Sequence, residues 1–388
     1  MTVRNPFTPG SGLAPPHFAN RDAELELFRD SLRSTLAGAP RHVAVLGDWA
    51  LGKTSLLLQC QRLADAQGVL TALVGANPES PAALSDSLAR NLSLQVHASY
   101  GEAPSQPSRG ASDRPRPDTR ERASHAPPPA ASEAQAELRE HLRRVWRHVR
   151  RRATGVLVLI DDLDRAKDVP RTAALLRGAL AELGPTGAKV MLVVAGAPDA
   201  FAPLVAARSP LAAFLQPAKL GRLSEAAMRE AVTRPIAEAP MRFDDEVMGR
   251  MAELAAGHPY YLQELAHHTF ELARRDNRAT RQAFELALEQ TFYRLSLTLF
   301  EPRVASLSAS EQRLLAVLVD LARPASHGAA VEAAAEAGLN AASVPKLLRR
   351  LKAKGCVAQA THGPAKRRYS VPDPLFREYV RRHVHSFN

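Results

Sequence analysis

The chain has 388 residues, a hydrophobic share of 45% and a formal charge of +11, enough for two or three domains with buried cores. No run of roughly eighteen apolar residues interrupts it, and its opening MTVRNPFTPGSG lacks the apolar centre of a secretory signal. No transmembrane helix is therefore expected, a cytoplasmic location is expected, and Cys60 and Cys356 are expected to be separate buried thiols rather than a disulfide or a metal pair.

Residues 1–20, rich in Pro and Gly, are expected to be extended. Asn20 then caps a helix running to about Leu36, with Asp22 and Glu24 at its positive end and Leu25, Phe28 and Leu32 on its buried stripe. Val43, Val45 and Leu46 read as a buried strand. Gly47 to Thr54 follows as GDWALGKT, and the leucines at 56, 57 and 58 continue into a helix. Strand, glycine-bounded loop and helix form the context that a phosphate-binding loop needs. Gly47 and Gly52 allow the loop to turn its amides towards an anion at a helix N-terminus. The nucleotide-binding set is therefore Gly47, Asp48, Trp49, Ala50, Leu51, Gly52, Lys53, Thr54 and Ser55. Lys53 is expected to reach the β- and γ-phosphates of ATP as a catalytic group, and the Thr54 hydroxyl to ligate Mg²⁺.

Val69–Val74 reads as a second strand and Ser80 to about Gln95 as a helix. Gly101 to Ala131 is dominated by Pro, Ser, Ala and charge, with no aliphatic residue larger than Ala, so 100–132 is expected to be a disordered insert. A charged helix over about Glu133–Arg152 returns the chain with Leu138, Leu142 and Val145 inward. Its arginines at 139, 143, 144, 147, 150, 151 and 152 read equally as a second basic face or as a solvated surface. GVLVLIDD at Gly155–Asp162 is a strand ending in paired acids. A helix over about Pro170–Leu183 leads to the strand Val190–Ala195, and 218–220 adds a short fifth strand. This alternation implies a doubly wound parallel α/β sheet.

The acid strand is expected to lie next to the phosphate-loop strand. Asp161 then holds Mg²⁺, and Asp162 orients or deprotonates the attacking water; the competing reading is that the two acids simply end a strand. Asp164 is read as a surface residue.

From Ser224 the chain turns helical: Glu225–Ile236, Asp244–Ala256, Tyr260–Arg274 and Thr280–Phe300, with Gly257-His258-Pro259 as punctuation. Helices at Ser308–Leu321, Ala329–Ala337 and Ala341–Lys354, then a hairpin of Cys356–Thr361 and Arg367–Val371, make a winged helix. Its third helix buries Val344, Leu347, Leu348 and Leu351 and leaves Lys346, Arg349, Arg350, Lys352 and Lys354 outward or flanking. The domain layout is thus an arm and helix at 1–40, an ATPase core at 41–221, a helical lid at 222–304 and a winged helix at 305–388.

Charge is concentrated at the C-terminal end. From Asn340 onward eleven Lys and Arg face only Asp373 and Glu378, a surplus of nine, which leaves a surplus of two for everything before it. Duplex DNA is the expected partner: Lys346, Arg349, Arg350 and Lys352 would enter the major groove, with Lys366, Arg367 and Arg368 on the wing against phosphate.

Taken together, the NPFTPG start, the F-x-N-R-D-x-E-L box at Phe18–Leu25, GDWALGKT, LVLIDD, GHPYYLQ at Gly257–Gln263 and YSVPDPLFREYVRR resemble the P-loop ATPases of the AAA+/STAND type, near the archaeal and origin-recognition initiator clade. The resemblance implies that Arg21 lines the adenine pocket and that Pro259 contacts the base or senses which nucleotide is bound; as a residue, Pro259 reads equally as a proline at the first position of a helix. Three departures from the family pattern concern Asn20 in place of Gly, Asp162 in place of Glu, and the polar residue missing at Ala195-Gly196-Ala197. The lid helix after Gly257 also lacks an arginine common in the family. Hydrolysis is therefore expected to be slow or to require an arginine from a neighbouring protomer or partner protein, with Arg208 as the candidate finger. The leading expectation is an ATP-dependent switch acting through DNA binding or self-assembly. A signalling or defence ATPase working through protein contacts is the alternative, and a small-molecule kinase is a third reading that the lid and winged helix argue against.

Overall fold

The computed structural model describes residues 4–10, 15, 18–76, 80–101, 130–206, 214–237, 239–321, 323–361 and 367–383; the expected insert lies almost wholly outside them, as do Arg208 and Lys366. The chain divides into two compact units, one over Asn20–Gly221 and one over Arg222–Asn388 that also includes the described arm residues up to Ala19.

In the first unit, helix α1 (Asp22–Leu36) precedes strand β1 (His42–Leu46) and helix α2 (Lys53–Asp65). Strand β2 (Leu70–Gly75) is followed by α3 (Pro81–Tyr100) and α4 (Ala130–Val149). Strand β3 (Val156–Asp161), α5 (Val169–Ala181), β4 (Val190–Gly196), α6 (Pro198–Ala206) and β5 (Leu215–Lys219) complete it. The five strands are parallel in the order β2-β3-β4-β1-β5. β3 and β4 are apolar without alternation because both sheet faces are covered. One face packs on α3, α4 and α5 through Leu88, Leu142 and Leu176; the other packs on α1 and α2 through Phe28 and Leu57.

The structure differs from two expectations. The acid strand is not next to the phosphate-loop strand, because β4 pairs with both and separates them. Asn20 does not cap α1: its backbone is left-handed at φ +53°, and Arg21 occupies the cap position without a side-chain bond. A left-handed site favours glycine, and Asn is among the few other residues that tolerate it.

The second unit begins with helices α7 (Glu225–Thr233), α8 (Asp245–Ala255), α9 (Pro259–Ala273) and α10 (Arg281–Leu295). A π-helical turn at Ser296–Phe300 joins α10 to α11 (Glu301–Ala305). Two-residue strands β6 (Arg242–Phe243) and β7 (Arg278–Ala279) pair beside them. Helix α12 (Ala309–Asp320) starts with a full capping box between Ser308 and Glu311. Strand β8 (Ala325–Ser326), α13 (His327–Glu336), α14 (Val344–Ala353) and the hairpin β9 (Ala358–Thr361) and β10 (Arg367–Ser370) follow. The three strands are antiparallel in the order β8-β10-β9, and α15 (Pro374–His383) ends the described chain. Neither β8 nor α15 is separately evident in the sequence pattern. One apolar core runs from Phe7 through Phe270, Phe292 and Phe300 to Phe376 and Val380. The arm is fastened into it: Phe7 is buried against Phe243 and Phe270, and Asn5 donates to Glu271 Oε1 at 2.8 Å and to the His267 carbonyl at 3.1 Å. No helix among the described residues is long and apolar enough to cross a membrane.

Candidate functional site

The loop at 47–54 is built by three different constraints. Gly47 is needed for space: a Cβ there would sit 3.0 Å from the Leu220 Cβ, so the loop lies flush against the chain leaving β5. Gly52 is needed for conformation, with φ +92° and open space around it. Ala50 also adopts a left-handed backbone, φ +58°. The expectation that both glycines serve backbone freedom holds only for Gly52.

Lys53 opens α2. Its Nζ donates to the carbonyls of Gly47 at 2.9 Å and Asp48 at 3.0 Å, which suspends the ammonium across the loop. The first-turn amides of α2 have no carbonyl partners within the helix and, with the helix dipole, favour an anion. Trp49 is largely exposed and Leu51 is buried. Arg21 is buried and braces the loop from behind: its Nη2 donates to the Leu51 carbonyl at 3.1 Å and to the Gly221 carbonyl at 2.9 Å. Burial lowers the Arg21 pKa and Glu24 partly restores it.

Although β4 separates β1 from β3, Thr54 at the head of α2 and Asp161 at the end of β3 meet. The Thr54 hydroxyl donates to Asp161 Oδ2 at 2.5 Å, and the other carboxylate oxygen accepts from the Asp162 amide at 2.9 Å. Burial is the largest influence on the Asp161 carboxyl and pushes its pKa up; the Thr54 bond opposes this, while the nearby Asp162 charge adds to it. A half-buried carboxylate beside a hydroxyl is a hard-oxygen donor pair, and it fits Mg²⁺. Asp162 stands in left-handed backbone at φ +52° and pairs with exposed Arg165 at 3.3 Å.

Asp164 differs from the expected surface residue. It is half-buried rather than on the surface, and its Oδ1 accepts from the Ala197 amide at 3.1 Å. The spacing of Asp-Asp-Leu-Asp was visible in the chain, but its partner on β4 was not.

In the second unit, Pro259 is the first residue of α9. Gly257 before it has φ +80°, and a Cβ there would fall 2.6 Å from the Leu223 carbonyl. Lys346, Arg349, Arg350 and Lys352 are all exposed, and Lys352 reaches Gln359 at 3.3 Å. Lys354 is exposed, and its ammonium pairs with the buried Glu311 at 2.7 Å. Arg368 donates to the Pro324 carbonyl at 3.1 Å. Arg367 lies on β10 with its side chain outside the description, and Lys366 and Arg208 lie outside the described residues. Arg377, Arg381 and Arg382 are likewise engaged, with the Val319 and Leu321 carbonyls and with Glu285, Glu289 and Glu378.

Residues 17–194 match the family described as the AAA ATPase domain. No curated protein matches the chain. Among solved structures, the Aeropyrum pernix ORC2 protein in its ADPNP–ADP complexes aligns with a TM-score of 0.63 at 15% identity, covering 97% of each chain. A Walker-type ATPase of Pyrococcus abyssi aligns with a TM-score of 0.59 at 15% identity, covering 97% of this chain and 99% of that one. Residues 17–194 are thus similar to the AAA ATPase domain, and the chain shares the fold of these archaeal proteins over nearly all of its length.

Proposed function

We propose that the chain is an ATP-dependent switch in which Mg²⁺-ATP at the 47–55 loop controls DNA binding through a winged helix at 305–388. The observation that carries the reading is the convergence of Lys53, Thr54 and Asp161: an ammonium across the loop and a hydroxyl–carboxylate pair 2.5 Å apart at the same helix start. Thr54 and Asp161 would hold Mg²⁺, which when bound supplies charge neutralisation to the phosphates. Lys53 binds phosphate, Asp162 orients the attacking water, and Arg21 holds the loop in shape from its buried side. Pro259 is proposed to report nucleotide state within the lid at 222–304, and Arg208 to serve as a finger towards another protomer. Exposed Lys346, Arg349, Arg350 and Lys352 supply the DNA-facing charge, joined by Lys366, Arg367 and Arg368 on the wing.

The test is ATP hydrolysis with and without duplex DNA, comparing the unmodified chain with Lys53→Ala and Asp162→Asn. The first variant is expected to lose nucleotide binding, and the second to bind without turning over. Equal turnover by all three would refute the assignment.

One observation favours a second reading, a signalling ATPase acting through protein contacts. Lys354, Arg368, Arg377, Arg381 and Arg382 are committed to partners within the fold, so the charge available to a polyanion is smaller than the sequence surplus. A gel shift that depends on both salt and ATP supports DNA; no shift at any salt supports the second reading.

A further inference from the structure

The acid turn after β3 needs something to hold it. Asp162 is left-handed at φ +52°, which costs energy for a residue with a Cβ. The short turn Leu163–Arg165 follows at once, with Leu163 buried. Within the turn, Arg165 N donates to the Asp162 carbonyl at 2.9 Å, and the Arg165 guanidinium meets Asp162 Oδ2 at 3.3 Å in an exposed position. These bonds shape the turn without fixing it to the sheet.

Asp164 provides that fixation at a single peptide group, Gly196–Ala197, at the end of β4. The amide of Ala197 donates to Asp164 Oδ1 at 3.1 Å, and the carbonyl of Gly196 accepts from the Gly47 amide at 3.2 Å. One peptide plane is therefore gripped on one side by the acid turn and on the other by the first residue of the phosphate loop. The approach is close enough to need glycine: a Cβ on Gly196 would stand 3.0 Å from Asp164 Oδ1 and 3.2 Å from the Asp164 amide. Because β4 separates β3 from β1, this peptide is where the two halves of the site share a common reference. It is also the place where Ala195-Gly196-Ala197 offers no polar side chain of its own.

We propose that Asp164 is a positioning residue for ATP hydrolysis: by accepting from the Ala197 amide it registers the 162–165 turn, and with it the Asp162 carboxylate, against the phosphate loop. The inference rests on the ATPase reading above and adds to it. The charge of Asp164 is not what matters; the acceptor at Oδ1 is. Misplacing a reacting group by about 1 Å can cost about 10²-fold in rate, so this anchor is expected to act on turnover rather than on binding.

The experiment uses the full chain with Asp164→Ala, Asp164→Asn and Gly196→Ala. Three quantities are measured: kcat and KM for ATP, the calorimetric Kd for Mg²⁺-ATP, and the exchange rate of the Ala197 amide without nucleotide. Asp164→Ala is expected to lower kcat by about 10- to 100-fold, with KM and Kd little changed and the Ala197 amide exchanging faster. Asp164→Asn keeps an oxygen that accepts at the same place, so it is expected to restore most of kcat and of the amide protection. Gly196→Ala, which drives a methyl into the contact, should reproduce the loss by a second route.

Full turnover by Asp164→Ala overturns the proposal. So does Asp164→Asn failing as badly as Asp164→Ala while keeping Ala197 protected, because the carboxylate charge would then act on the reaction directly. A parent chain that binds ATP and never turns it over refutes the ATPase reading itself, and with it this role, before any variant is compared.

Discussion

The hydroxyl of Tyr261 donates a 2.8 Å hydrogen bond to Oδ2 of Asp373, 112 residues further along the chain. Asp373 has two further tasks. Its other oxygen accepts from the Phe376 amide at 3.0 Å at the start of α15, and Arg303 lies 3.7 Å away while covering the Phe376 ring at 4.3 Å. Burial, then Asp373, push the Tyr261 phenol up, so it remains a donor at any ordinary pH. Tyr261 belongs to the GHPYYLQ motif and its ring stacks on His258 at 4.7 Å, so this one bond ties the head of α9 to the last described helix.

That bond predicts an ordered pair of stability losses. Tyr261→Phe removes one hydrogen bond to a charged acceptor, a cost of about 1.5–3 kcal/mol. Asp373→Ala removes the same bond plus a helix cap, adding about 1 kcal/mol. Urea denaturation of the full chain should rank Asp373→Ala below Tyr261→Phe and both below the parent. An unchanged midpoint for Tyr261→Phe would contradict the geometry.

Two glycines separate steric from conformational need. At Gly52 a methyl meets nothing within 4 Å, so Gly52→Ala is expected to cost only the left-handed strain, about 1–2 kcal/mol. At Gly257 the same strain is joined by a contact of 2.6 Å to the Leu223 carbonyl. Gly257→Ala should therefore be the more destabilising by a clear margin in thermal melts, and equal melting points would refute this.

Two buried histidines give the stability a pH dependence with a definite sign. His42 accepts from the Leu192 amide at 3.0 Å, and burial lowers its pKa to about 4. Burial, then the Arg144 charge, lowers His141 to about 4 as well. In the unfolded chain both protonate near pH 6.5, so there is no penalty above that value. It grows as pH falls towards 4 and levels off below, reaching up to about 3 kcal/mol per residue. Denaturant titrations between pH 7 and 4.5 should show stability falling with pH. His42→Asn should flatten that slope by up to about 1.4 kcal/mol per pH unit, the value of one proton. An unchanged slope would mean His42 is not neutral in the fold.

If DNA binds, the engaged and exposed cations should behave differently. Replacing exposed Arg349 and Arg350 by Ala is expected to reduce the salt slope by up to about 0.9 for each phosphate that the pair neutralises. Arg368→Ala, whose guanidinium is already held by the Pro324 carbonyl, should change the slope little. Equal effects on the slope would show that Arg368 leaves its carbonyl to meet phosphate.

The phosphate loop, the acid strand and most helices were legible in the chain because each is written in local pattern: glycine spacing, apolar runs and caps. Sheet order was not. β3 and β4 are apolar on both faces, and such strands carry no mark of which neighbour they choose. Asp161 therefore reaches Thr54 across an intervening strand, a contact with no mark in the local pattern. Asp164 was misread for a related reason, since its partner is a backbone amide 33 residues away. The C-terminal charge surplus was counted correctly, yet counting does not reveal that Arg377 and Arg381 are spent on the Val319 carbonyl or Lys354 on Glu311.

The most direct measurement is a calorimetric titration of Mg²⁺-ATP into the full chain and into Lys53→Ala. Saturable uptake of one nucleotide by the parent chain, abolished by Lys53→Ala in a variant that melts normally, is the predicted result. No heat of binding to the parent chain, or equal affinity in the two proteins, would contradict the account.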